Sequence, residues 1–174
     1  MVLKYFKKNS RSGFTLIELL IVIGIVAVLT TIAMPMMKNM IPNYRLRSGA
    51  LNIVSSLQEM KLRAVNENAN VVIVFNLAKN SYISFVDNGT GAARGNRALD
   101  AGEAIVRQET LPQGIIYDSI PTAGKFAFKS AGLPETAVGM TVSIKNSNSN
   151  NQRIIVSPAG NVRVEKSSDG SNWN

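Results

Sequence analysis

Gly13-Phe14-Thr15-Leu16-Ile17-Glu18-Leu19-Leu20-Ile21-Val22-Ile23 opens an apolar run that continues to Met34, and Glu18 is the only charge between Phe14 and Met34. About 20 consecutive apolar residues suffice to cross a bilayer core as a helix, so the run reads as a membrane segment. A carboxylate inside such a segment costs roughly 2.5–3.5 kcal/mol on insertion scales, which marks Glu18 as a functional residue that needs a partner. The alternative is a carboxylate that snorkels to the membrane surface, since Glu18 lies one turn in from Phe14.

Beyond this run the helical pattern continues. Pro35 and Pro42 each remove a backbone hydrogen bond and predict bends rather than a stop. Leu46, Ala50, Ile53, Leu57, Met60 and Ala64 recur at alternating spacings of 4 and 3, one apolar stripe of a helix. Arg45, Arg47, Gln58, Glu59, Lys61 and Arg63 lie off it. The helix is expected from about residue 14 to about residue 67, on the order of 80 Å at 1.5 Å per residue.

The rest of the chain should supply the sheet that buries this stripe. Val71-Val72-Ile73-Val74-Phe75 is a compact apolar run and Tyr82-Ile83-Ser84-Phe85-Val86 alternates, with Asn80-Ser81 providing turn chemistry between them. Further strands are expected at 104–110, 115–118, 125–128, 140–145, 153–157 and 161–165. The fold class is therefore α+β: a long N-terminal helix, its first half membrane-spanning, packed on a C-terminal antiparallel sheet or sandwich. Asn88 to Arg97, with Arg94 and Arg97, reads as a mobile surface loop, and it lacks the Gly-Lys-Ser/Thr of a phosphate-binding loop. Asn146 to Asn151 reads as a flexible hairpin tip. Asp87-Asn88-Gly89 and Asp169-Gly170-Ser171-Asn172 lack full EF-hand spacing and read as turns.

The 174 residues suit one globular domain plus a membrane helix. The formal charge is +8, of which Lys4, Lys7, Lys8 and Arg11 precede the apolar run, leaving a modest +4 for the remainder. Basic residues on the N-terminal side of a first membrane helix tend to stay cytoplasmic, so everything after Met34 is expected outside. There is no Cys and no His, which excludes a disulfide, a Cys- or His-ligated zinc, a Cys nucleophile and a His general base. No cofactor, no metal and no catalytic residue is expected.

A short basic leader ending in Gly13, then Phe14-Thr15-Leu16-Ile17-Glu18, then an unbroken apolar helix, resembles the precursors of type IV pilins and type II secretion pseudopilins. The resemblance implies a leader at 1–13 cut by a prepilin peptidase between Gly13 and Phe14, with N-methylation of Phe14. It implies that Glu18 neutralises the N-terminal amine of a neighbouring subunit during filament assembly. The corresponding division is a filament-core helix at 14–34, an amphipathic half at 35–67 and a periplasmic β-rich head at 68–174. Phe126 to Gly132, Met140 to Ile144 and Arg153 to Val164 resemble one branch, the minor pseudopilin H and FimT family.

That branch implies a non-enzymatic minor subunit that assembles into or primes a type II pseudopilus or a type IV pilus. Its partners would be other pseudopilins or minor pilins, the prepilin peptidase and the inner-membrane assembly platform. Some FimT-like minor pilins instead bind DNA for transformation through a Gly-Arg-Val-Arg segment. Here Gly160-Asn161-Val162-Arg163 replaces the first arginine by Asn161, which weakens that reading. Arg163, joined by Arg153 and Lys166, would be the candidate phosphate contacts, and the competing reading is solvated strand cations.

Overall fold

In the computed structural model, which describes residues 13–89 and 95–173, helix α1 runs from Leu16 to Asn66 without a break at Pro35 or Pro42. Residues 1–12, with the leader cations, and residues 90–94, with Arg94, lie outside the described residues. The chain divides into two compact units, residues 1–38 and 39–174. In the first, the span Leu16–Pro35 is long and apolar enough to cross a membrane, and none of it is buried. The hydroxyls of Thr30 and Thr31 donate to the carbonyls of Val26 and Ala27, at 2.7 and 2.9 Å. Back-bonding of this kind keeps a polar side chain satisfied where no water is available.

In the second unit the remainder of α1 is followed by eight strands: β1 Asn70–Asn76, β2 Ser81–Asp87, β3 Ile105–Thr110, β4 Ile115–Ser119, β5 Lys125–Phe128, β6 Met140–Asn146, β7 Asn151–Val156 and β8 Val162–Ser167. They form two four-stranded antiparallel sheets, ordered β3-β2-β1-β5 and β4-β6-β7-β8. Each expected strand is present with its ends shifted by no more than two residues.

The six stripe residues of α1, Leu46, Ala50, Ile53, Leu57, Met60 and Ala64, are all buried. They share one core with Val71, Ile73, Phe75 and Phe128 of the first sheet and Tyr117, Val142, Ile144 and Ile154 of the second. Alternation explains the choice, because residues two apart on a strand point to the same face. Phe75 meets Tyr117 edge to face at 5.8 Å, joining the two sheets through aromatic rings.

β1 is buried on both faces, since Val72 packs with Phe85 and Ala127 away from the main core. That outer face also carries Asp87 and Lys125 by strand register. The buried Asp87 carboxylate accepts the backbone N–H groups of Gly95 and Arg97, at 2.7 and 2.9 Å, while Lys125 Nζ donates to the Arg97 carbonyl at 2.8 Å. The Arg97 guanidinium pairs with Glu135. The described part of the loop read from sequence as mobile is thus pinned over the outer face of the first sheet. The hairpin tip expected at 146–151 is also tied down, because Asn43 Oδ1 accepts from the side-chain amides of Asn146 and Asn150 at 2.8 and 2.6 Å.

Candidate functional site

Glu18 sits at the start of α1, and the residue that positions it is Thr15. The Thr15 N–H and hydroxyl both donate to Glu18 Oε2 at 3.1 Å, and the Glu18 N–H donates to Thr15 Oγ1 at 3.3 Å. This is a capping box, in which Thr at the N-cap and Glu three residues on satisfy each other's backbone donors. It also sets the carboxylate against the positive end of the helix dipole. The other oxygen, Oε1, has no partner among the described residues, so the cap leaves one carboxylate oxygen able to accept from a cation. Thr-x-x-Glu before an apolar run is legible in the sequence, and the reading above passed over Thr15.

Gly13 and Phe14 precede the cap. Among the described residues a Cβ placed on Gly13 would meet nothing within 4 Å, and its φ is not positive, so none of them demands glycine there. Phe14 is 85% exposed and packs against nothing that would hide it.

The three candidate phosphate contacts do not form one group. Arg153 and Arg163 share the outward face of the second sheet. Glu165 lies between them, its Oε2 2.5 Å from Arg153 and its Oε1 3.1 Å from Arg163. Arg153 is further covered by Trp173, whose ring lies 4.3 Å from the guanidinium. One carboxylate therefore offsets half the charge of the pair. Lys166 is odd by three from Arg163, and the period of two in a strand turns it to the opposite face. There it lines a cavity with Arg47 and Gln152.

Of the two segments read as turns, Asp169 to Asn172 bends back on itself, whereas Asp87 is the last residue of β2 and Asn88 and Gly89 form no turn among the described residues. Asp169 accepts the backbone N–H groups of Ser171 and Asn172 at 2.9 and 3.0 Å and the Ser167 hydroxyl at 2.8 Å. These bonds, led by the Asn172 N–H, hold its carboxyl well below the usual carboxylate range. Among the described residues no group of three or more His, Cys, Asp or Glu side chains is arranged to hold a metal.

Residues 8–34 match the model of the prokaryotic N-terminal methylation motif, and residues 50–160 match that of the type II transport protein GspH. Pilin-like protein PilA1 of Thermus thermophilus is 27% identical over 168 residues, covering 90% of this chain and 99% of that protein. Among solved structures, the minor pseudopilin EpsH of the Vibrio cholerae type 2 secretion system superposes with a TM-score of 0.51 at 15% identity, covering 69% of this chain and 95% of that one. The type IV minor pilin FimU of Pseudomonas aeruginosa gives 0.53 at 15% identity, covering 76% and 94%. At such identity the likeness is one of fold. The GspH model itself spans well over half of the sequence, and the chain belongs to the GspH family of pilin-like type II transport proteins.

Proposed function

We propose that the chain is a non-enzymatic minor subunit that assembles into, or primes, a pseudopilus or type IV pilus. The observation that carries this is the pairing of an unburied membrane span with a single carboxylate at the helix start whose second oxygen has no partner among the described residues. Within an apolar bundle such a carboxylate persists only with a cation beside it. Glu18 takes that cation from the N-terminal amine of a neighbouring Phe14, once the leader has been cut after Gly13 and Phe14 methylated. That none of the described residues crowds Gly13 supports an external reason for glycine, a peptidase that must approach the backbone closely. Before assembly the span anchors the chain in the inner membrane, leader on the cytoplasmic side and residues 68–174 in the periplasm. Partners are the peptidase, the assembly platform and other pilin-like subunits.

The DNA-receptor alternative rests on Arg163, and Glu165 beside it favours the assembly reading. The test is co-expression with a prepilin peptidase and the remaining filament subunits. Mass spectrometry should find the mature chain beginning at a methylated Phe14, and Gly13→Val should abolish cleavage. Glu18→Ala should be cleaved and membrane-inserted yet absent from sheared filaments. Normal incorporation of Glu18→Ala would overturn the role given to Glu18. Salt-sensitive DNA binding lost in Arg163→Ala would move the protein to the DNA-uptake class.

A further inference from the structure

Between Glu18 and Glu59 the sequence has no acidic residue, but it has Lys38, Arg45 and Arg47. The ion pairs among the described residues involve none of these three, nor Lys166. Arg45 donates only to a backbone carbonyl, that of Gln113 at 3.2 Å. Two of these unpaired cations, Arg47 from α1 and Lys166 from β8, line one cavity together with Gln152, Asn150 and Ser168. Gln152 is only 7% exposed, and its side-chain amide has no hydrogen-bond partner among the described residues. Among the described residues the side-chain atoms buried without a partner are the Tyr117 hydroxyl and Asn151 Oδ1, so the Gln152 amide is not sealed off but reaches the open cavity, where it is free to donate. Two cations and an idle amide donor facing one cavity suit a phosphate group, which offers several acceptor oxygens and a negative charge.

We propose that this cavity takes the phosphodiester headgroup of an anionic phospholipid, holding the head on the membrane before the subunit is drawn into a filament. The proposal rests on the membrane reading of residues 16–35. Twelve residues separate Pro35 from Arg47, an interval that helical chain covers in about 18 Å and no conformation stretches beyond about 40 Å. The cavity is therefore tethered near lipid phosphate at high local concentration, whatever its affinity for phosphate in solution. A nucleic acid would call for a stripe of free cations along its backbone. The outward arginines that might have supplied one, Arg153 and Arg163, are held by Glu165.

The full chain would be inserted in nanodiscs of phosphatidylcholine alone or mixed with phosphatidylglycerol, each carrying a trace of dansyl-headgroup lipid. Trp173 is the only tryptophan, so energy transfer from it reports how closely the head approaches the surface. Transfer should rise with phosphatidylglycerol and fall as salt is added. At roughly five-fold in docked population per cation near an anionic surface, Arg47→Gln with Lys166→Gln should cut docking by about thirty-fold, with each single variant between. Arg163→Gln should leave it unchanged. Circular dichroism would check that the variants stay folded, and the lipid and salt dependence of the unmutated chain tests the proposal independently of them.

Equal transfer in both lipids would overturn the proposal. Glycerol phosphate or inorganic phosphate bound by the cavity without any lipid dependence would assign it to a soluble anion and overturn the membrane role. Duplex DNA binding lost in the double variant, again without lipid dependence, would assign it to nucleic acid. Failure of the chain to insert at all, read by flotation, would instead overturn the membrane reading beneath the proposal.

Discussion

One helix serves two solvents. From Leu16 to Pro35 α1 exposes every large apolar side chain, whereas from Leu46 to Ala64 it buries one at each stripe position. The first half is apolar all round and the second is apolar on one stripe, which is the difference between a helix surrounded by apolar partners and one laid on a sheet. Helix length and continuity say nothing of this contrast. It resides in which positions around the axis carry charge.

The sharpest way to break the contrast is to remove the same kind of side chain from each half. Leu57, fully buried, should cost about 2–5 kcal/mol when cut to alanine, through lost transfer energy and the cavity left behind. Ile23→Ala should leave thermal unfolding of the head unchanged, because Ile23 is exposed and is not a member of that core. Melting of the detergent-solubilised full chain, followed by near-ultraviolet circular dichroism, checks both. An equal fall in Tm for the two variants would mean that the span contributes to the stability of the head.

The glycines repeat the contrast with a smaller effect. Gly139 has φ +74°, and a Cβ there would lie 2.1 Å from the Val156 carbonyl oxygen, backbone that cannot swing aside. Met140 pairs with Val156 in the β6–β7 ladder, so Gly139→Ala should strain that ladder by about 2–3 kcal/mol. Gly24 in the span is helical with nothing within 4 Å, and alanine there should favour the helix by up to about 1 kcal/mol. Denaturant midpoints for the first and helicity in micelles for the second measure the difference. At the start of the span, Thr15→Ala should fray the first turn at a cost of about 1 kcal/mol, seen in amide exchange of residues 16–19, with the head untouched.

Much of this was legible in the sequence, because it is written in local periodicity. The 4-3 stripe from Leu46 to Ala64 fixed the buried face of α1, and alternation in Tyr82 to Val86 fixed a strand. Contacts between distant residues were not legible. Asn43 meets Asn146 across 103 residues, and a polar low-complexity tip gives no hint that one helical asparagine collects two of its amides. Glu165 was in view as the neighbour two places from Arg163, on the same face. Its hold on Arg153 depends on the register that sets Arg153 opposite Glu165, which the sequence does not state. Lys166 was grouped with the arginines although the period of two already turned it away. At the amino end, the capping box was readable from Thr15 and Glu18 alone, and the pilin-like motif drew the reading of Glu18 towards assembly. The two roles are compatible, because the cap occupies one oxygen and leaves the other.

The smallest expected effect concerns what apolar surroundings do to a hydroxyl. In the span, Thr30 and Thr31 satisfy theirs on their own helix. In the head, the Tyr82 hydroxyl lies 2.8 Å from Ser56 Oγ and donates to the Asn52 carbonyl at 3.3 Å, while the buried hydroxyl of Tyr117 has no partner among the described residues. Burial raises the ionisation of both phenols above the ordinary value of 10.0, for Tyr117 with a further push from Tyr82. A raised folded-state pKa means that stability is intact below pH 10 and falls as pH climbs towards the folded value, since only the unfolded phenol ionises freely. Tyr82→Phe should cost about 1 kcal/mol at neutral pH by leaving Ser56 without that bond, whereas Tyr117→Phe should be neutral or slightly stabilising because it removes an unmade one. Above pH 10 the order of benefit changes. Tyr117→Phe also deletes an ionisation that pulls towards the unfolded state, so its advantage over the unmutated chain should widen steadily with pH in alkaline denaturation. A constant difference between the two across that range would show that the Tyr117 hydroxyl is reached by water, and that the core around Phe75 is wetter than its packing implies.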